Sequence, residues 1–152
     1  MNNTTTLEID GAQITIDTSA LFRAWFEKHL GKAEAQLTTC PMPRAGEKYV
    51  GGIIEPDGRL RHIFLLLGDE QKNWNAGMAW AKSIGGDLPD RIEQAMLYAF
   101  MPDEFQKVSY WSNTQRVGGA AYAWCQGFGH GGHDRSYEDS KLRVRAVRRE
   151  YA

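Results

Sequence analysis

The stretch from residue 73 to residue 93 constrains the fold more than any other part of the chain. Asn73 is a preferred N-cap residue, and Gly85 with Gly86 provides a helix stop. Between them, small or apolar residues recur at the three-and-four spacing of one helix face: Trp74, Gly77, Met78, Ala81 and Ile84. We therefore predict a core helix that ends at the glycine pair.

A second helix is predicted directly after this one. Asp90 and Glu93 have the spacing of a capping box, and Met101 followed by Pro102 marks the helix end. The apolar residues in between should form the buried side: Ile92, Ala95, Met96, Ala99 and Phe100. Two short helices are thus expected in the middle of the chain.

Strand patterns lie on both sides of these helices. A hairpin is predicted at Asp10-Gly11, flanked by the alternating residues Leu7, Ile9, Ile14 and Ile16. A second hairpin is predicted at the turn sequence Glu55-Pro56-Asp57-Gly58. Later strands are expected at residues 108–112, 121–128 and 142–149. Strands, two helices and again strands predict an α+β fold with a mostly antiparallel sheet.

An amphipathic helix is predicted after the first hairpin. Asp17, Thr18 or Ser19 can cap it, Gly31 ends it, and its apolar stripe consists of Leu21, Phe22, Trp25, Phe26 and Leu30. Two uses of this stripe stay open: covering the core of the following domain, or pairing with another subunit in a homo-oligomer. We predict an N-terminal arm at residues 1–31, a connector at 32–47 and a domain at 48–152.

Composition excludes several classes of protein. The net charge of -1 gives no overall attraction to nucleic acid or membranes. Cys40 and Cys125 are the only cysteines, which excludes a disulfide framework and a four-cysteine zinc site and favours a reducing compartment. The N-terminus shows no signal-peptide pattern, and the longest apolar run, residues 63–67, is too short to span a bilayer.

Several motifs occur in an order that resembles a known family. They are the run Gly85-Gly86-Asp87-Leu88-Pro89, then Tyr110-Trp111-Ser112, Ala123-Trp124 and the basic segment 143–149. Over residues 48–149 the chain resembles a bacterial and prophage domain family of unknown function. That family is similar to the C-terminal domain of a collagen-like bacterial adhesin and, more distantly, to formylglycine-generating enzymes. The resemblance implies a C-type-lectin-like fold, and fold alone does not imply function.

Residues 127–140 are a glycine-rich polar stretch, predicted to be a loop. The resemblance places this stretch where lectin-like domains present variable loops, and polar loops on a rigid scaffold commonly bind ligands. We expect it to bind together with residues 115–120. We predict a non-enzymatic, phage-type binding module for a protein or glycan, without cofactor, acting in the host cytoplasm or the virion. Its binding residues are Gln115, Arg116, His130, His133, Asp134, Arg135 and Tyr137.

Two alternatives use other residues. His130 and His133 with Asp134 could ligate a transition metal and form a metal-dependent enzyme, and the stripe from Leu21 to Leu30 could serve self-association in a structural protein. A basic stripe is also predicted on the last strand region, with Lys141, Arg143, Arg145, Arg148 and Arg149. It would meet an anionic partner or pair with acidic residues on neighbouring strands.

Three further sites are not supported by their sequence context. The Glu55-Pro56-Asp57 run is similar to a lectin calcium motif, but it precedes the helices and lacks a Trp-Asn-Asp partner motif. Ser112 has no nucleophile signature around it, and Cys40 with Cys125 does not match the cysteine pair of the formylglycine-generating enzymes. No catalytic set is therefore predicted.

Overall fold

The computed structural model describes residues 4–9, 11–29, 41–118 and 121–152. The chain divides into two compact units, Met1–Thr39 and Cys40–Ala152. The boundary between them falls within the predicted connector, of which residues 32–40 lie outside the described residues.

The first unit is a hairpin followed by a helix. Strands β1 (Thr4–Ile9) and β2 (Ala12–Asp17) pair antiparallel, with Ile9 opposite Ala12 across a two-residue turn. Helix α1 (Thr18–His29) follows, and Asp17 Oδ1 accepts hydrogen bonds from the backbone nitrogens of Ser19 and Ala20. The predicted hairpin and the Asp17 cap are therefore confirmed, although Asp10 lies outside the described residues.

The apolar stripe of α1 is described at two positions. The rings of Phe22 and Trp25 stack with centroids 6.2 Å apart, and both side chains are more than half exposed. The side chains of Leu21, Phe26 and Leu30 lie outside the described part of the chain. Self-association through this helix stays a prediction.

The second unit contains two sheets and two main helices. Its strands are β3 (Lys48–Ile54), β4 (Leu60–Leu65), β5 (Glu70–Lys72), β6 (Ser109–Gln115), β7 (Tyr122–Gly127), β8 (His133–Tyr137), β9 (Leu142–Val144) and β10 (Val147–Tyr151). Its helices are α2 (Trp74–Ser83), α3 (Arg91–Phe100) and a 3₁₀ turn at Pro102–Glu104. One sheet has the strand order β10-β4-β3, and the other has β5-β9-β6-β7-β8. All pairs are antiparallel except β6 with β9, so the predicted α+β class with mostly antiparallel pairing is confirmed.

Helix α2 follows the sequence prediction except at Ile84, which is the C-cap residue and is 40% exposed. Asn73 caps it by accepting a hydrogen bond from the backbone nitrogen of Ala76 at 2.9 Å. Gly77 and Ala81 are buried, and a Cβ at Gly77 would lie only 2.7 Å from Val144 Cγ1. The glycine thus lets α2 approach the five-stranded sheet closely, where a core cluster includes Trp111 and Leu88.

Helix α3 has the predicted capping box, but its predicted buried side is wrong. The buried residues are Glu93, Gln94 and Leu97. Ile92 is 60% exposed and Phe100 is 67% exposed. The other three residues of the predicted stripe are exposed or half-buried: Ala95, Ala99 and Met96.

Polar contacts decide which side of α3 faces inward. Glu93 accepts hydrogen bonds from Arg61 and Arg149, and the Gln94 side-chain amide donates to the Tyr110 carbonyl at 2.9 Å. Because the Glu93 carboxylate and the Gln94 amide nitrogen are bonded inside the protein, burying them costs less than burying unpaired groups, whereas Gln94 Oε1 has no hydrogen-bond partner within the described residues. The helix therefore turns its polar residues inward, together with Leu97.

One loop prediction and one strand prediction also need correction. Residues 127–140 were expected to form a loop, but β8 lies within them and pairs with β7. Residues 142–149 were expected to form one strand, but they contain β9 and the start of β10, which belong to different sheets. The turn at Glu55-Pro56-Asp57-Gly58 is confirmed, with the Gly58 nitrogen donating to the Glu55 carbonyl at 2.9 Å.

Candidate binding face on the β7–β8 hairpin

Strands β7 and β8 bring six side chains to one face of the five-stranded sheet. Their antiparallel register sets Tyr122 opposite Tyr137, Trp124 opposite Arg135, and Gln126 opposite His133. Directly opposite residues share a face, and alternate residues along a strand do so too. We call these six residues the β7–β8 face: Tyr122, Trp124, Gln126, His133, Arg135 and Tyr137.

A tyrosine pair forms one end of this face. The ring centroids of Tyr122 and Tyr137 are 4.2 Å apart, and Tyr137 is 59% exposed. The hydrogen bond with Tyr137 raises the pKa of Tyr122, while the positive charges of Arg116 and Arg135 act in the opposite direction. Arg116, which follows β6, is thereby brought to the same end of the face.

A tryptophan–arginine stack forms the centre of the face. Arg91, in the first turn of α3, places its guanidinium carbon 3.8 Å from the centroid of the Trp124 ring. A cation over a tryptophan ring is attracted by the negative face of the aromatic system. The stack holds both side chains in fixed positions beside the exposed Arg135.

The structure brings together some of the predicted binding residues and separates others. Arg116, His133, Arg135 and Tyr137 lie on or beside the β7–β8 face. Asp134 stands opposite Cys125 in the register and so lies on the other side of the sheet. Four of the seven predicted binding residues are therefore close together in space.

His130 and Gln115 have local structural contacts. His130 Nδ1 accepts a hydrogen bond from the Gly132 nitrogen at 3.1 Å, and its ring leaves no room for a side chain at Gly127. The Gln115 side-chain amide donates to Glu138 Oε1 at 2.8 Å. These contacts shape the β7–β8 turn and tie β6 to the end of β8.

The sequence prediction missed four members of the site. Tyr122, Trp124 and Gln126 were expected only as strand residues, although their spacing by two already implied a common face. Arg91 gave no local signal, because it reaches Trp124 from a helix more than thirty residues away in sequence.

The outer edge of β8 is partly closed. Asp134 Oδ1 accepts a hydrogen bond from the Arg135 backbone nitrogen at 2.7 Å, and the Tyr137 carbonyl accepts one from Ser140 at 2.8 Å. Backbone groups that are bonded in this way cannot pair with another strand. These two bonds therefore occupy part of the edge that β8 would otherwise present to another strand.

The residues weighed for chemistry have structural surroundings. Within residues 4–9, 11–29, 41–118 and 121–152, no group of three His, Cys, Asp or Glu side chains is placed to hold a metal ion. Ser112 is buried and its hydroxyl donates to the Trp124 carbonyl at 2.9 Å. Burial raises the pKa of the Cys125 thiol to about 11, so the thiol is protonated at neutral pH, and Cys40 lies outside the described residues.

The arginines of the predicted basic stripe have partners inside the second unit. Arg143 pairs with Asp69, Arg145 donates to the carbonyls of Leu66 and Glu104, Arg148 pairs with Glu47, and Arg149 pairs with Glu93. Guanidinium groups with bonded partners are typical of a structural role. An anionic partner at Arg143, Arg145 and Arg148 stays a prediction.

Comparisons with known proteins add no family. No protein-family model matches the chain, and no curated protein matches it.

None of the helices in the described residues has the length and apolar character needed to cross a bilayer.

One pH effect is expected from His133. Burial, aided by the charge of Arg91, lowers the pKa of His133 below its ordinary value of 6.5. Between these two values the unfolded chain binds a proton that the folded chain does not, so the folded state loses stability as the pH falls from 6.5 through the folded pKa. His133→Gln should remove this loss in urea unfolding measured across that window. An NMR titration of the His133 ring with its midpoint at or above the ordinary value would contradict the prediction.

Proposed function

We propose that this protein is a non-enzymatic binding module on a C-type-lectin-like scaffold, and that its β7–β8 face recognises a protein or a glycan. The scaffold proposal is supported by the order of elements in the second unit: a hairpin, two helices and then mainly antiparallel strands. The resemblance to a prophage family supports action in a host cytoplasm or a virion.

The observation that carries the binding proposal is the composition of the β7–β8 face. A tyrosine pair and an arginine-stacked tryptophan lie next to each other on paired strands, with Arg135 and Tyr137 exposed. Tryptophan, tyrosine and arginine are the residue types that most often dominate binding energy at protein interfaces. Aromatic rings also offer flat apolar surfaces with a polar end, which suit a peptide side chain or a sugar ring.

An unpartnered nitrogen atom beside Trp124 gives further support. Arg91 Nε is buried and has no hydrogen-bond partner within the described residues. Buried polar atoms are nearly always bonded, so such atoms need a partner. An acceptor group of a ligand, acting directly or through a water molecule, would provide one.

Rigidity favours this surface over a mobile loop. The residues of the face belong to two paired strands, and α3 packs on the same sheet and fixes Arg91 above Trp124. A preorganised surface loses little conformational entropy when it binds. The same argument applies to a protein partner and to a glycan, so each kind of ligand needs its own binding measurement.

The test is loss of capture in a double variant, Arg135→Ala with Tyr137→Ala. We expect at least a tenfold loss of affinity, which corresponds to about 1.4 kcal/mol, because both side chains are exposed members of the face. Capture is measured from host lysate for a protein partner and on a glycan array for a sugar. Thermal unfolding should change little, since neither side chain is buried.

The chain offers a matched control. Arg59 lies 5.1 Å from the centroid of the Tyr151 ring, and both residues are exposed on the other sheet of the same unit. The variant Arg59→Ala with Tyr151→Ala removes the same two residue types elsewhere. Equal capture by the two double variants would reject the β7–β8 face as the binding site.

A further inference from the structure

A cavity lies on the half of the five-stranded sheet that is opposite the β7–β8 face. This cavity of about 340 Å³ is lined by Gln71 of β5, by Lys141 and Arg143 at the start of β9, and by Gln106 and Ser109 at the start of β6. The cavity shares no residue with the β7–β8 face.

Strand pairing explains why there is space at this position. Strands β6 and β9 are parallel and are in register at one pair only, Tyr110 with Arg143. The segments that lead into them are therefore free to separate. The cavity lies between these segments, with Val108 and Leu142 as its apolar walls.

Every polar side chain that lines the cavity can donate a hydrogen bond, although the glutamine and serine groups also accept, and Gln71 Nε2 already donates to the Lys141 carbonyl at 3.3 Å. Lys141 and Arg143 are cations, Gln71 and Gln106 carry amide groups, and Ser109 carries a hydroxyl. No carboxylate is among the lining residues. A site of this composition favours a ligand with a negatively charged oxygen group.

Arg143 is held in a fixed position. Its Nε donates to Asp69 Oδ1 at 2.7 Å and its Nη2 donates to the Asp69 carbonyl at 3.1 Å. The Tyr110 hydroxyl in turn donates to Asp69 Oδ2 at 2.8 Å. Two of the five guanidinium donors are used in this way and the side chain also hydrogen-bonds to Tyr110, which leaves the remaining donors for a ligand.

Lys141 supplies the uncompensated charge. Within the part of the chain that the structure describes, its ammonium group makes no ion pair, whereas Lys72 nearby pairs with Glu70 at 2.7 Å. Asp69 balances the charge of Arg143. When only the lining side chains and Asp69 are counted, the cavity has an excess of one positive charge, contributed by Lys141.

We propose that this cavity binds a small molecule that carries one oxyanionic group, either a carboxylate or a sulfate. Lys141 and Arg143 hold the anionic group, and the side chains of Gln71, Gln106 and Ser109 bond to neighbouring hydroxyl groups. The volume lies at the low end of the range of about 300–1,000 Å³ for small-molecule sites, which fits one acidic sugar unit or a free anion.

The test is an NMR titration of the full chain with three probes: glucuronate, inorganic sulfate and neutral glucose. We expect glucuronate or sulfate to shift the backbone amide signals of Gln71, Ser109 and Arg143, and glucose to have no effect. Binding of glucuronate alone identifies an acidic sugar, and equal binding of sulfate identifies a site for the free anion. Both outcomes support the proposal, and added salt should weaken either one.

Variants make the test specific. Lys141→Ala should weaken binding at least about tenfold, and Lys141→Glu should abolish it, because each removes the excess positive charge. Lys82→Ala is the control, since Lys82 is an exposed lysine outside the cavity that pairs with Asp87. The proposal is overturned if no anion shifts these signals, if glucose binds as well as glucuronate, or if Lys141→Ala binds as tightly as the unaltered protein.

Discussion

Replacing Glu93 by alanine should lower the free energy of unfolding by about 3–5 kcal/mol. Glu93 is fully buried, and its carboxylate accepts hydrogen bonds from Arg61 Nη1 at 2.5 Å and from Arg149 Nε and Nη2 at 2.7 Å. It also accepts a hydrogen bond from the Asp90 backbone nitrogen at 2.7 Å, which completes the capping box of α3. The substitution leaves two guanidinium groups with fewer acceptors and removes part of the helix cap.

Urea unfolding measures this loss, with Asp57→Ala as the matched control. Asp57 also pairs with an arginine, Arg59 at 2.7 Å, but both partners are well exposed. An exposed ion pair contributes little, so the control should change the free energy of unfolding by under about 1 kcal/mol. Similar losses in the two variants would show that the Glu93 network does not stabilise the fold in the way described.

Leu97→Ala should cost about 2–5 kcal/mol, whereas Phe100→Ala and Ile92→Ala should each cost much less. Leu97 is fully buried in the cluster that also contains Phe105, Tyr110 and Phe128. Truncating it leaves a cavity that the surrounding side chains cannot fill completely. Phe100 and Ile92 are mostly exposed, so truncating them creates no cavity.

This comparison tests the orientation of α3 directly. The apolar spacing in the sequence predicts the opposite order, with Ile92 and Phe100 in the core. Thermal unfolding of the three single variants distinguishes the two orientations. A larger loss for Phe100→Ala than for Leu97→Ala would mean that the helix is rotated relative to the structure.

Features with local causes could be predicted from the sequence. The cap at Asn73, the capping box of Asp90 with Glu93, and the turn ending at Gly58 each depend on residues within four positions of one another. Their hydrogen bonds form wherever those residues occur in that order. The two central helices and the two hairpins were therefore predicted correctly.

The inward side of α3 could not be predicted in this way. The partners of its buried polar residues come from β4, β10 and β6, between 16 and 56 residues away along the chain. A single helix pattern contains no information about these partners. The apolar spacing of α3 consequently predicts the wrong inward side, with Ile92 and Phe100 buried.

Only part of the candidate site could be predicted from the sequence, and the reason is related. His133, Arg135 and Tyr137 alternate along β8, but this stretch has few apolar residues, so its sequence pattern predicts a loop. As an outer strand, β8 needs only the hydrogen bonds to β7 to be fixed in place. Its exposed side chains need no apolar pattern.

The sequence by itself determined where helices and turns begin and end, and which stretch is rich in polar and aromatic residues. Only the tertiary structure decided that Arg91 stacks on Trp124, that Tyr122 meets Tyr137, and that Glu93 is buried between two arginines. The physical reason is the range of the interactions. Caps and turns join neighbours in the chain, whereas ion pairs and ring stacks join residues that become neighbours only when the sheets and helices pack together.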